Sequence, residues 1–103
     1  MDRYLFVYYG GKMETDPKAA QASMAAWNKW FADMGPAVVD RGAPVTEGKL
    51  VSAAGVKKVV TRPVTGYSVI QAESYEKVMS FARKSPQIIP GGGQIAVYPL
   101  VKM

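Results

Sequence analysis

The 103-residue chain has no histidine and no cysteine, and only 8 acidic residues against 13 Lys and Arg. Without imidazole or thiol, Ser-His and Cys-His nucleophiles, zinc and haem sites, and disulfides are all excluded. The acids are scattered along the chain, so a carboxylate-only metal site has no nucleus; no metal and no cofactor are expected. Long apolar runs are missing as well. The stretch from Tyr4 to Tyr9 is only 6 residues long, where a membrane-spanning helix needs about 20, so no membrane partner is expected. The basic surplus comes without an RNP, KH, helix-turn-helix or zinc-finger pattern, and no nucleic-acid partner is expected either. A cysteine-free chain fits a reducing compartment, and the expected location is cytoplasmic.

What is present is an ordinary globular composition, 49% hydrophobic and 20% charged, and residues 1–103 are expected to form one domain. The +5 net charge is uneven. Lys49, Lys57, Lys58 and Arg62 lie in a stretch free of acids, which reads either as a solvated hairpin face or as a region that steers an anion.

Tyr4 to Tyr9 (YLFVYY), Tyr67 to Ala72 (YSVIQA) and Ile95 to Val101 (IAVYPLV) are strand segments with apolar or aromatic residues on both sides of the pleat. A first helix is predicted from Asp16, as cap, and Pro17 to the Gly35-Pro36 stop, with Ala20, Met24, Trp27, Phe31 and Met34 on its inner face and Trp30 widening the stripe. Ala37 to Asp40 is a short strand that Arg41-Gly42-Ala43-Pro44 turns or bends. Residues 47 to 62 are a small hairpin about Ala54-Gly55 or part loop. Ser74 caps a second helix carrying Val78, Phe81 and Ala82 inward, and Ser85-Pro86 ends it. The order is strand, helix, strand, strand, helix, strand: an α+β, ferredoxin-like split βαβ arrangement with an antiparallel sheet. Two helices cover one sheet face. The other face is too apolar for water, so a homodimer through the sheet faces is expected.

The opening YLFVYYGG, the helix AAWNKWFADMG, the following VVDRGAPV, the segment TGYSVIQAESYEKV and the closing GGGQIAVYPL together resemble the YCII-related domain family. That resemblance spans residues 3 to 100 and implies a small bacterial protein forming a dimeric α+β barrel, with a pocket between sheet and helices in each subunit. Some members of that family resemble enzymes built on a His-Asp dyad, and one branch resembles a chloromuconolactone dehalogenase. Here the histidine is absent, and Asp40 is the only counterpart of the dyad aspartate.

Asp40, at the end of a short strand, is the candidate catalytic residue, as a base; its alternative role is to cap the turn into Gly42. The candidate ligand-binding residues are Tyr8, Trp27, Trp30, Arg41, Arg62 and Tyr67. The indoles, with Phe31, offer ring faces, the phenols a donor to an oxyanion, and the guanidiniums a fork for a carboxylate. Each also has a plain structural role, the aromatics as core and Arg62 as solvated surface. Strand alternation sends Tyr8 and Tyr9 to opposite faces. Gly91-Gly92-Gly93 offers an anion nest, but without the Lys-Ser/Thr of a phosphate loop. The preferred reading is a homodimer binding a small organic molecule, aromatic or anionic, in a closed pocket of several hundred Å³ typical of such sites. Two other readings stay open: a lyase- or isomerase-like enzyme acting on a small cyclic or lactone-like substrate through Asp40, and a regulatory protein-protein module.

Overall fold

Four strands, β1 (Asp2–Tyr9), β2 (Val38–Pro44), β5 (Val64–Ala72) and β6 (Gln94–Pro99), form one antiparallel sheet in the order β2-β5-β1-β6. A computed structural model describes residues 1–11, 15–59, 63–89 and 91–102. Helices α1 (Pro17–Met34) and α2 (Tyr75–Arg83) follow β1 and β5, which makes the ferredoxin-like split βαβ arrangement. Between β2 and β5 the chain makes a separate two-stranded hairpin, β3 (Lys49–Ser52) and β4 (Gly55–Lys58), turning at Ala53-Ala54.

The two oily sides of β1 are resolved by its alternation. Tyr4, Phe6 and Tyr8 are buried under the helices, while Leu5, Val7 and Tyr9 are half-buried on the opposite face. Strand β5 alternates in step, with Gly66, Ser68, Ile70 and Ala72 inward. Phe6, Ile70 and Val78 lose all contact with solvent, each burial stabilising the fold by about 1.5 to 3 kcal/mol. Trp30 and Met34 complete this core from α1. On the outer face, Val7 is in register with Tyr67 on one side and Ala96 on the other, and Leu5 with Val69 and Tyr98.

Several local expectations are corrected. Met24 is 67% exposed, and Ala20 is exposed too. The half-buried residues in the first half of α1 are Ala19 and Ser23, because Trp30 is buried in the core while Trp27 is only half-buried, and this sets the rotation of the helix. The Asp16 side chain makes no cap bond; its carbonyl accepts from the Ala20 N–H at 2.9 Å instead. Ser74 does cap α2, accepting from the Lys77 N–H at 3.2 Å. Strand β2 does not end at Asp40 but continues through Arg41 to Pro44, and the bend expected there is a slip in register between Asp40 and Ala43. Gly42 occupies that slip with φ +73°, a region L-residues avoid.

A buried amide closes the crossover into β6. The Gln87 side-chain Nε2 donates to the carbonyls of Tyr9 at 2.9 Å and Gly10 at 3.1 Å, and the Gln87 N–H donates to Ser85 Oγ. The N–H groups of Gly91, Gly92 and Gly93 donate to the carbonyls of Pro86, Ile88 and Gln87. An anion nest at the triple glycine is thereby excluded, since its donors are already engaged within the loop.

Candidate functional site

The helix-facing ends of β1, β5 and β2 meet α1 at a corner that gathers most of the polar chemistry under the helices. Gly66 and Ser68 put little bulk on β5, so the ring of Tyr8 lies against it; a Cβ on Gly66 would stand 3.2 Å from Tyr8 Cδ2. The Tyr8 hydroxyl donates to Ser68 Oγ at 2.7 Å, and Ser68 Oγ donates to the Arg41 carbonyl at 2.6 Å. Above them Trp27 meets the Tyr8 ring edge-on at 5.1 Å and lies 6.1 Å from Phe31. The Arg41 guanidinium sits over Phe31, 4.6 Å from the ring centre, and donates one N–H to Asn28 Oδ1. Arg41 therefore ties β2 to β5 through its backbone and to α1 through its side chain.

Burial pushes the Tyr8 phenol up from about 10 to about 12, with the Ser68 hydrogen bond pulling weakly the other way. Tyr8 is thus a neutral phenol whose proton is committed to Ser68. It is not a base at neutral pH, and its hydroxyl has no second proton for a ligand oxyanion. Between about pH 10 and 12 the unfolded chain ionises Tyr8 while the folded chain does not, so stability falls as pH rises through that window. The loss approaches about 2 to 3 kcal/mol at the top of it. Urea titrations of the wild type and Tyr8→Phe at pH 8 and 11.5 check this: the phenylalanine variant will lose distinctly less stability between the two.

The residues proposed from sequence are divided by the fold. Tyr8, Trp27 and Arg41 come together at this corner. Trp30 sits deeper in the core, its indole N–H donating to the Phe81 carbonyl at 3.0 Å, so it ties α1 to α2. Tyr67 is on the outer face, in register with Val7 and Ala43, and cannot share a pocket with Tyr8 in one subunit. Asp40 Oδ1 accepts from the Gly42 N–H at 2.8 Å; Asp40 is exposed and in register with Val69, and it holds the turn into the β2 bulge. Arg62 lies outside the described residues.

Ser68 and Asn28 escaped sequence reasoning. A serine alternating with Gly66 and Ile70 carries no motif, and only cross-strand register puts it beside Tyr8. Two hollows lie among the described residues, and neither is the closed pocket expected between sheet and helices. One, of about 600 Å³, lies at the base of the β3–β4 hairpin. The other, of about 340 Å³, runs between α1 and α2 along Trp30, Phe81 and Ile89. Neither is lined by Tyr8, Trp27 or Arg41. Among the described residues no cluster of three or more His, Cys, Asp or Glu is placed to hold a metal, and no helix is long and apolar enough to cross a membrane.

No family model matches this sequence, and no curated protein matches it. Among solved structures, the chain is similar to a 5-chloro-2-hydroxyhydroquinone dehydrochlorinase from Burkholderia phenoliruptrix, in complex with 2,5-dihydroxybenzoquinone. The TM-score is 0.57 at 14% identity, over 97% of this chain and 95% of that one. A likeness at that identity establishes the shared α+β fold and leaves the chemistry to be argued from the residues.

Proposed function

We propose that this protein is a cytoplasmic homodimer related to the YCII group, a single domain whose outer sheet faces pair into an α+β barrel, and that it binds a small aromatic or anionic organic molecule at the α1–β2–β5 corner. The observation that carries the reading is Arg41. Its guanidinium is oriented by Phe31 and Asn28, one N–H is used, and the rest of the five-donor fork remains for a carboxylate or enolate beside the Trp27 ring. The solved structure of similar fold was obtained with a flat, oxygen-bearing ring bound, which is the same ligand chemistry.

Binding is favoured over turnover. An acid-base pair needs a carboxylate and a phenol within about 3 Å of a shared substrate atom. Here the Asp40 carboxylate holds its own turn and the Tyr8 proton is given to Ser68. The enzymatic reading retains one support, the catalytic activity in the name of the structural neighbour. It would require a general acid or base other than these two.

Tryptophan fluorescence tests the site, because Trp27 belongs to it. Titration with 2,5-dihydroxybenzoquinone and with benzoate should quench the wild type. Arg41→Ala should weaken the dissociation constant by roughly 10- to 100-fold, the worth of a charge-assisted hydrogen bond, and Arg41→Lys should recover only part. Equal binding by wild type and Arg41→Ala would place the ligand elsewhere.

A further inference from the structure

The β3–β4 hairpin is an arm that the subunit itself does not cover. All eight of its strand residues are exposed, including Leu50 at 60%, Val51 at 72% and Val56 at 61%. An isolated two-stranded hairpin is marginal in water, and it needs a further surface to hold it. Its charges are segregated: Leu50 to Val56 form an uncharged tip, while Lys49, Lys57 and Lys58 ring its base, Lys49 directly opposite Lys58. Like charges paired across strands destabilise a free hairpin. At the root of the arm lies the hollow of about 600 Å³, walled by Pro44, Val45, Val59, Pro63 and Val64, with Glu47 at its side.

We propose that, in the homodimer inferred above, the arm of each subunit reaches across and seats its Leu50–Val56 tip in the root hollow of the other. This rests on the dimer reading and adds the arm to it. A two-fold dimer makes such a contact reciprocal, tip to hollow twice over. Area favours it. Four strands about 4.8 Å apart and 6 to 9 residues long offer a plan area of roughly 500 Å², less than the roughly 800 Å² of accessible surface that each partner gives to a stable interface. The arms supply apolar area of the same order. Reach permits it too, because the chain from Pro44 to Val51 spans up to about 23 Å when extended. Charge does not oppose it: the Leu50–Val56 tip that enters the hollow is uncharged, so no charged side chain of the arm has to give up water beside Glu47.

The absence of native cysteine makes the test clean. A mixture of Val51→Cys and Val45→Cys chains, mildly oxidised, should form an inter-chain disulfide at least about tenfold faster than Val51→Cys mixed with Lys18→Cys, a control in the first turn of α1; proximity alone raises such rates by far more than that. Independently, Leu50→Ser/Val51→Ser should raise the dimer dissociation constant by at least about 100-fold, as expected for two apolar side chains on each of the two arms returned to water. Both positions are exposed in the single chain, so circular dichroism should be unchanged. A wild type that sediments as a monomer overturns the dimer and the arm contact with it. A wild-type dimer with no preferential cross-link and an unchanged dissociation constant overturns the arm contact alone. The same holds if the double variant dimerises normally but loses sedimentation with vesicles of anionic phospholipid, which would make a membrane surface the occupant.

Discussion

Gly42→Ala will unfold at markedly lower urea concentration than the wild type, with a loss of about 4 kcal/mol or more. The added Cβ would stand 1.7 Å from the Tyr67 carbonyl oxygen and 2.6 Å from its carbon, on backbone with φ +73°. The left-handed conformation alone costs an L-residue roughly 1 to 2 kcal/mol. The larger part comes from the clash, which meets backbone atoms of Tyr67 and Ser68 and cannot be relieved by a rotamer change. β2 must separate from β5, and with it go the Asp40–Gly42 turn and the Ser68 bond to the Arg41 carbonyl. A small domain has only about 5 to 15 kcal/mol in total, so the variant is expected to be marginal at 37 °C. Gly55→Ala is the control. Gly55 also has positive φ, at +126°, but nothing lies within 4 Å of the position its Cβ would take, so only the backbone strain applies. Equal urea midpoints for the two variants would show that β2 does not run against β5 as described.

Val7→Lys will convert the proposed homodimer to a folded monomer. Val7 is at the middle of the outer face, flanked by Tyr67 and Ala96, and an isologous sheet-to-sheet interface brings the same patch of both copies together. Two ammonium groups would then lose water near one another with no partner, at a cost of several kcal/mol each. The dissociation constant should rise by more than about a thousandfold. The fold should survive, because Val7 points away from Phe6, Ile70 and Val78, and is half-buried in the single subunit. Sedimentation velocity with near-ultraviolet circular dichroism reads both quantities. A Val7→Lys protein that still sediments as the wild-type dimer would move the interface off the sheet face.

The helix stop at Gly35-Pro36, the Ser74 cap and the strand segments were legible because each depends on neighbouring residues in the chain. The rotation of α1 was not. By polarity alone Met24 belongs inside and Ser23 outside, yet the helix turns Ser23 and Ala19 toward the sheet and leaves Met24 in water. That choice was made by the depth to which Trp30 is drawn between Phe6, at 6.3 Å, and the Phe81 carbonyl. The continuation of β2 through Arg41 to Pro44 was hidden for a similar reason: Arg-Gly-Ala-Pro reads equally as a turn or as a bend until β5 is laid beside it and makes it a bulge. At the candidate site, the aromatic residues and Arg41 drew attention by chemical type. Ser68 and Asn28 matter only through partners 60 and 13 residues away, which no local spacing encodes.

Composition alone ruled out imidazole and thiol chemistry, and residue order alone specified two helices, an antiparallel sheet and strands apolar on both sides. These follow from atoms that are absent and from backbone preferences that act over a few residues. Which side of β1 lies under the helices, the division of Tyr8 from Tyr67, the commitment of the Tyr8 proton to Ser68 and the projection of the β3–β4 arm were decided only in three dimensions. Alternation in a strand defines two faces but does not label them; the label comes from the packing of distant segments, and hydrogen-bond partners are chosen by cross-strand register.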